Sequence, residues 1–272
     1  FEHNKIILTI IYTICTLIIE VVMSKLVLVS GSSRGLGASM AKTFSDAGYR
    51  VAINYFKNEE KANEVLNGMS SESYGFKCDV SNKDQVIKML DEIKNKFGEY
   101  PSILVNNAMT SYVFNGDERK TAESISWDEI QEHLDVTLKG SLNLIQEVIP
   151  HMKECSFGRI INIGTNLVQN PVVPYHDYTI AKSALLGLTR TFAKDLGSLG
   201  ITVNMVSGGL LKITDASAAT PDFVFEAIAE MTPLQRVTTV QDFSDAVLFF
   251  ASSQSRSITG QNLTVDGGLT FN

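Results

Sequence analysis

Two groups of residues in this chain have types and spacings that could do chemistry. The first is Ser30-Gly31-Ser32-Ser33-Arg34-Gly35-Leu36-Gly37. It lies between an apolar run, Leu26 to Val29, and a helical pattern with Leu36, Met40 and Phe44 on one face. Glycine serves three ends there. Gly31 lets the chain reverse sharply, Gly35 removes the Cβ that would hold a ligand off the backbone, and Gly37 lets the helix lie close on the strand. The helix start then offers free N–H groups to an anion, and a dinucleotide pyrophosphate is the usual occupant of that place in a βαβ unit. A glycine-rich turn without a ligand is the alternative that this spacing alone leaves open. The second group is Tyr178 and Lys182, four apart at the start of a helix and so on one face of it. They follow a strand, Arg159 to Ile163, whose C-terminal edge carries Gly164-Thr165-Asn166, and ligands of open α/β sheets bind at that edge.

Other polar residues fall beside these groups. In dinucleotide-binding units an acid about 20 residues past the glycines takes the ribose hydroxyls, whereas a basic environment accommodates a 2′-phosphate. Here the second strand, Arg50 to Tyr55, ends in uncharged Asn54 while Arg34 lies in the turn, which favours NADPH over NADH; a surface ion pair is the other reading of Arg34. Asp79 could accept from an adenine amino group or cap the helix beginning near Ser81. Asn106 and Asn107, after the fourth strand, could bond across strands and to a ribose, or simply close a turn. His176 reads as a rim or helix-start residue. Phe223, Phe225 and Met231 read as a core stripe or as pocket lining.

The elements that must position these residues alternate strand and helix from Leu26 onward, seven strands in all, with no low-complexity linker between them. That pattern predicts one Rossmann-like, doubly wound α/β domain with a parallel seven-stranded sheet covered on both faces. Trp127 opens a long helix that Pro150 is expected to end, and the polar stretch Thr110 to Ser126 before it reads as a surface excursion. Leu210 to Gln235, between the sixth strand and the last helix, reads as a lid.

Composition sets the outer limits. The 272 residues are 44% hydrophobic, ample for a buried core, and a net charge of −7 gives no basic footprint, so nucleic acid is not expected as a partner. Cys15, Cys78 and Cys155 are scattered and odd in number, which suits a reducing compartment, and no grouping has metal-ligand spacing. Residues 1–22 form an apolar N-terminal extension, with 23–272 as the domain proper. Ile6 to Ile19 is short for a membrane span, lacks a cleavage site, and is joined to the first strand without a linker. Met23 is therefore taken as the natural start and the extension as an artefact; a native membrane anchor or a helix that packs on a partner are the alternatives.

Taken together, the glycine turn, Asp79-Val80, Asn106-Asn107-Ala108, Gly158 to Ile163, Tyr178 with Lys182, Ile201 to Asn204, and Ile258-Thr259-Gly260-Gln261 through Gly268 resemble the short-chain dehydrogenase/reductases. Within that family the chain is most similar to 3-oxoacyl-acyl-carrier-protein reductases. The resemblance implies that Tyr178 protonates a carbonyl oxygen as hydride arrives from the nicotinamide. Lys182 would bond the nicotinamide ribose and lower the tyrosine pKa. It also implies cofactor contacts from Gly31, Ser33, Arg34, Gly35, Leu36 and Gly37, from Asn54 and Tyr55, and from Asp79 and Val80. Asn107, Ala108, Tyr178 and Lys182 would contribute as well, as would Gly209, Leu211 and Thr214. Thr165 stands where the family orients substrate with serine, and Thr137 where it reads asparagine in Asn-Leu-Lys-Gly. Met109, Gly208 and a short insertion before Trp127 are further departures. The expected activity is NADPH-dependent reduction of a 3-oxoacyl thioester or another ketone, in fatty acid biosynthesis, by a cytoplasmic homotetramer. An alcohol, sugar or steroid dehydrogenase and a non-catalytic cofactor-binding sensor are the alternatives.

Overall fold

Apolar runs short enough for strands, joined by amphipathic stretches, leave a parallel sheet as the arrangement that buries both faces of each strand. The computed structural model describes residues 25–112, 114, 118–212, 217 and 220–271. In it β1 (Leu26–Val29), β2 (Arg50–Tyr55), β3 (Ser73–Lys77), β4 (Ile103–Asn106), β5 (Gly158–Thr165), β6 (Ile201–Gly208) and β7 (Asn262–Val265) form one sheet in the order β3-β2-β1-β4-β5-β6-β7. Every pair is parallel. The expected single-domain, Rossmann-like fold is what the chain adopts; residues 1–22 lie outside the described residues.

The two-residue period of a strand divides its side chains between the faces. Leu26 and Leu28 join Leu104 and Ile160 in one core, covered by α3 (Lys83–Phe97) and α5 (Gly140–Glu154). Val27 and Val29 join Val105 and Ile161 in the other, covered by α1 (Gly35–Asp46) and α8 (Val240–Ala251). Phe44 and Phe243, on those two helices, are wholly or almost wholly buried, and each such side chain is worth about 2–3 kcal/mol of transfer free energy. The strand order reverses between β1 and β4, and a crevice at the carboxyl ends of such strands is where this architecture takes ligands.

Two helices differ from expectation. The stretch that Trp127 opens is α4 (Trp127–Leu134), a π-helical turn (Asp135–Lys139), and α5. Pro150 does not end it but sits exposed inside α5, one turn after exposed Gln146, whose carbonyl it has no N–H to bond. The helix α7 (Asp222–Met231) buries Phe225 but leaves Phe223 and Met231 at 68% and 65% exposure, so it carries no full core stripe. Between β2 and β3 lies α2 (Glu59–Asn67), and α6 (His176–Leu196) joins β5 to β6. Among the described residues, no helix is long and apolar enough to cross a membrane.

Candidate active site

The glycine turn is fixed from three sides. Ser30 Oγ donates to the Val105 carbonyl at 3.3 Å and accepts from the Asn107 and Ala108 amides at 2.9 and 3.0 Å, tying β1 to the end of β4. Asn107 Nδ2 returns the contact, donating to the Ser30 and Gly31 carbonyls at 2.9 and 3.0 Å. Gly31 has φ +61°, and a Cβ there would lie 2.8 Å from the Ala108 Cα. At Gly37 a Cβ would collide with the Gly31 carbonyl oxygen and lie 2.7 Å from Asn107 Nδ2, which is why α1 can approach the strand so closely.

These contacts leave the helix start clear. The first helical bond runs from the Ala38 amide to the Arg34 carbonyl, so the amides of Gly35, Leu36 and Gly37 precede it. A Cβ at Gly35 would meet nothing within 4 Å. Ser33 and exposed Arg34 flank that opening. Backbone donors, a cation and an open approach at the sheet's switch point together fit a dinucleotide pyrophosphate.

Asn54 and its neighbours are placed differently from expectation. Its side chain is buried and used internally: Oδ1 accepts from the Gly31 amide at 3.1 Å, and Nδ2 donates to the Cys78 carbonyl at 3.1 Å and to those of Phe76 and Tyr55 at 3.4 Å. The residue thus braces the turn against β3, and Tyr55 packs in the core. Asp79 Oδ1 accepts from the Ser81 amide at 3.0 Å and its hydroxyl at 2.7 Å, a local turn ahead of α3. Val80 is buried, and its carbonyl accepts from Asn143 Nδ2 at 2.9 Å, which docks α5. Gly209 packs on the Asn166 carboxamide, Leu211 is a core residue, and Thr214 lies outside the described residues.

At the other side of the crevice, Asn106 Nδ2 donates to Asn162 Oδ1 and Asn162 Nδ2 to Thr189 Oγ1, both at 2.8 Å. This buried ladder links β4, β5 and α6, so the pairing across strands is the role Asn106 takes. It sets α6 with Tyr178 over Thr165. Thr165 lies beside the Tyr178 phenol, and Lys182 Nζ donates to the Ile163 carbonyl at 2.7 Å, 5.7 Å from the tyrosine ring centroid. Tyr178 and Lys182 are 9% and 2% exposed. Burial therefore dominates both acidities: it pushes the phenol up to about 12 against the opposing Thr165 bond, and the ammonium down to about 8. Desolvation, with Thr165 opposing it, sets the tyrosine acidity in this arrangement. Thr137 is buried in the π-helical turn packed beside α6, its carbonyl accepting from Ser141 Oγ at 2.6 Å.

Sequence reasoning missed what covers the phenol. The stretch read as a polar surface excursion turns inward at its start. Tyr112 stacks on Tyr178 at 5.7 Å between centroids and an interplanar angle of 19°, and Phe114 meets it edge-on at 5.2 Å. Tyr175 closes on both rings, at 5.7 Å from Tyr112 and 5.4 Å from Phe114. Asp177 organises this cage: Oδ1 accepts from the Tyr112 hydroxyl at 3.3 Å and from the Tyr178 amide at 2.9 Å, and Oδ2 lies 3.5 Å from His133 Nε2. Buried His133 also bonds the Thr110 hydroxyl at 3.0 Å, and burial lowers its pKa against the pull of Asp177. The available signal was two aromatics, Tyr112 and Phe114, spaced by two in an otherwise polar stretch. His176 begins α6 and, with Glu118, Arg119 and Lys120, lines a cleft of about 240 Å³, in keeping with a rim residue. Among the described residues no group of His, Cys, Asp and Glu could hold a metal ion.

Comparison with known proteins agrees with this geometry. The family model described as enoyl-(acyl carrier protein) reductase matches residues 31–270. The 3-oxoacyl-[acyl-carrier-protein] reductase FabG of Staphylococcus epidermidis is 35% identical over 251 residues, 91% of this chain and 99% of the relative. Among solved structures, the 3-oxoacyl-[acyl-carrier protein] reductase of Brucella melitensis superposes with a TM-score of 0.82 at 28% identity, covering 91% of this chain and 92% of that one. The promiscuous reductase LugOII, titled as catalysing keto-reduction in lugdunomycin biosynthesis, gives 0.82 at 29% identity, with coverage of 91% and 98%. With a nicotinamide-nucleotide crevice of this form and likeness along nine-tenths of its length, the chain belongs to the short-chain dehydrogenase/reductases, as an oxidoreductase most like the 3-oxoacyl-acyl-carrier-protein reductases.

Proposed function

We propose that the protein reduces a ketone, a 3-oxoacyl thioester or a related carbonyl compound, to the alcohol with NADPH. The single observation that carries this reading is the juxtaposition of Thr165, at the carboxyl end of β5, with the buried Tyr178 phenol, and of Lys182 one turn further on the same helix. When bound, the nicotinamide supplies hydride to the carbonyl carbon. Tyr178 holds its proton throughout the neutral range and gives it to the carbonyl oxygen, while Thr165 orients that oxygen and steadies the resulting phenolate. Lys182, released from the Ile163 carbonyl, would stand by the ribose and offset the phenolate charge. The amides of Gly35, Leu36 and Gly37 would take the pyrophosphate, Asn107 and Ala108 would border it, and Arg34 would take a 2′-phosphate.

The names of the relatives support an acyl-carrier substrate; a cytoplasmic setting and a homotetramer are what the family resemblance implies. Trp127 on α4, Ile180 on α6, and Phe249 and Leu263 on α8 and β7 are exposed apolar residues on the faces that such an assembly would cover. The test is NADPH oxidation with acetoacetyl thioesters and a panel of ketones. Tyr178→Phe should remove turnover and leave NADPH binding, followed by nucleotide fluorescence, intact; undiminished turnover in that variant overturns the mechanism. One observation favours a non-catalytic, cofactor-binding sensor, namely that aromatic rings enclose the phenol. Turnover of any ketone removes that reading.

A further inference from the structure

The enclosure of Tyr178 has geometric consequences for what can reach it. The Tyr112 and Tyr178 rings are nearly parallel with centroids 5.7 Å apart. Carbon atoms in contact stand about 3.5 Å apart, so a substrate layer between two such rings would need about 7 Å. Nothing can be interposed on that face while Tyr112 stays in place. Phe114 occupies an edge of the same ring, at 85° and 5.2 Å. The cleft of about 240 Å³ is lined by Tyr112, Tyr175 and Asp177 but not by Tyr178, so the Tyr112 ring stands between that opening and the phenol.

The ring is also held from below. Its hydroxyl bonds Asp177, whose other oxygen faces His133, and His133 packs edge-on against Tyr112 at 5.0 Å. Asp177 accepts from the Tyr178 amide as well, so one carboxylate fixes both the ring and the residue it covers.

We infer that Tyr112 and Phe114 determine substrate size: they form an aromatic wall against Tyr178 that keeps bulky carbonyl substituents off that side. Compact 3-oxoacyl chains and methyl ketones then fit, and ketones branched or arylated on both sides do not. Asp177 is a positioning residue for the wall. This rests on the reductase reading, and the experiment separates the two.

The test compares kcat/KM for a small methyl ketone and for a ketone with bulky groups on both sides, in the wild type and in Tyr112→Ala, Phe114→Leu and Tyr112→Phe. Tyr112→Ala and Phe114→Leu should raise the ratio of bulky to small substrate by tenfold or more, chiefly through the KM of the bulky ketone. Tyr112→Phe keeps the ring and its packing but loses the bond to Asp177, so it should raise the ratio less than Tyr112→Ala does. Should Tyr112→Ala fail to fold, Phe114→Leu carries the comparison. A ratio that stays at the wild-type value in the truncated variants, with small-ketone turnover present, overturns the wall and leaves the reductase standing. If the wild type binds NADPH and reduces no carbonyl in the panel, the reductase reading falls and the wall with it.

Discussion

Replacing Lys182 with methionine should make the protein more stable while removing its activity. The ammonium is almost fully buried, with the Ile163 carbonyl as its hydrogen-bond partner at 2.7 Å, and burial lowers its pKa from 10.5 to about 8. At about 1.4 kcal/mol per tenfold, holding this charge inside the fold costs about 3 kcal/mol at neutral pH. Methionine has similar length and no charge to desolvate. Losing the bond to Ile163 gives back about 1 kcal/mol, which leaves a net gain of about 2 kcal/mol. For a chain of this size that corresponds to a rise in Tm of about 4–8 °C at pH 7, read by calorimetry or circular dichroism without nucleotide. The pH dependence carries the same sign. The folded value lies below the unfolded one, so between about pH 8 and 10.5 the unfolded chain binds a proton that the folded chain has lost, and Lys182 makes stability rise with pH across that window. Tyr178 acts oppositely from pH 10 to about 12, because its folded value lies above the unfolded one. Lys182→Met should flatten the rise between pH 8 and 10 and leave the fall above it. A variant that melts below the wild type at pH 7, or that keeps the rise, refutes the argument from desolvation.

Two further outcomes follow from the nucleotide side of the crevice. Arg34→Ala should raise the KM for NADPH about tenfold, the worth of one charge-assisted bond, and leave that for NADH within about twofold; equal changes in both would show that Arg34 does not read the 2′-phosphate. Gly37→Ala should lower stability by about 1–3 kcal/mol, because its methyl would collide with the Gly31 carbonyl and Asn107 Nδ2, and an unchanged Tm would contradict the close packing of α1 on the turn.

Much of this was legible in the sequence because the signals were local. The alternation of apolar runs with periodic stretches predicts the parallel sheet, and the turn from Ser30 to Gly37 takes the strand-turn-helix form that its glycine spacing implies. Tyr178, Lys182 and Thr165 meet because one ladder, Asn106 to Asn162 to Thr189, binds their elements together, and the paired asparagines hinted at it. Illegible were choices made between distant segments. Nothing near Asn54 in the chain says that its amide faces Gly31 and Cys78, 23 and 24 residues away. Polar neighbours hid the inward turn of Tyr112 and Phe114, since composition averages over a stretch whose two aromatics behave alone. Pro150 was misread for a related reason: a proline's cost depends on whether the carbonyl it orphans faces water, which only the packed helix decides.

The brace formed by Asn54 makes the identity of this residue a matter of folding. An acid at this position is the usual device for holding ribose hydroxyls. Here a carboxylate would face the carbonyls of Cys78, Phe76 and Tyr55, to which the amide now donates, setting like partial charges against one another in a dry corner of the sheet. A carboxylate at this position would therefore cost stability, whichever nucleotide the crevice takes.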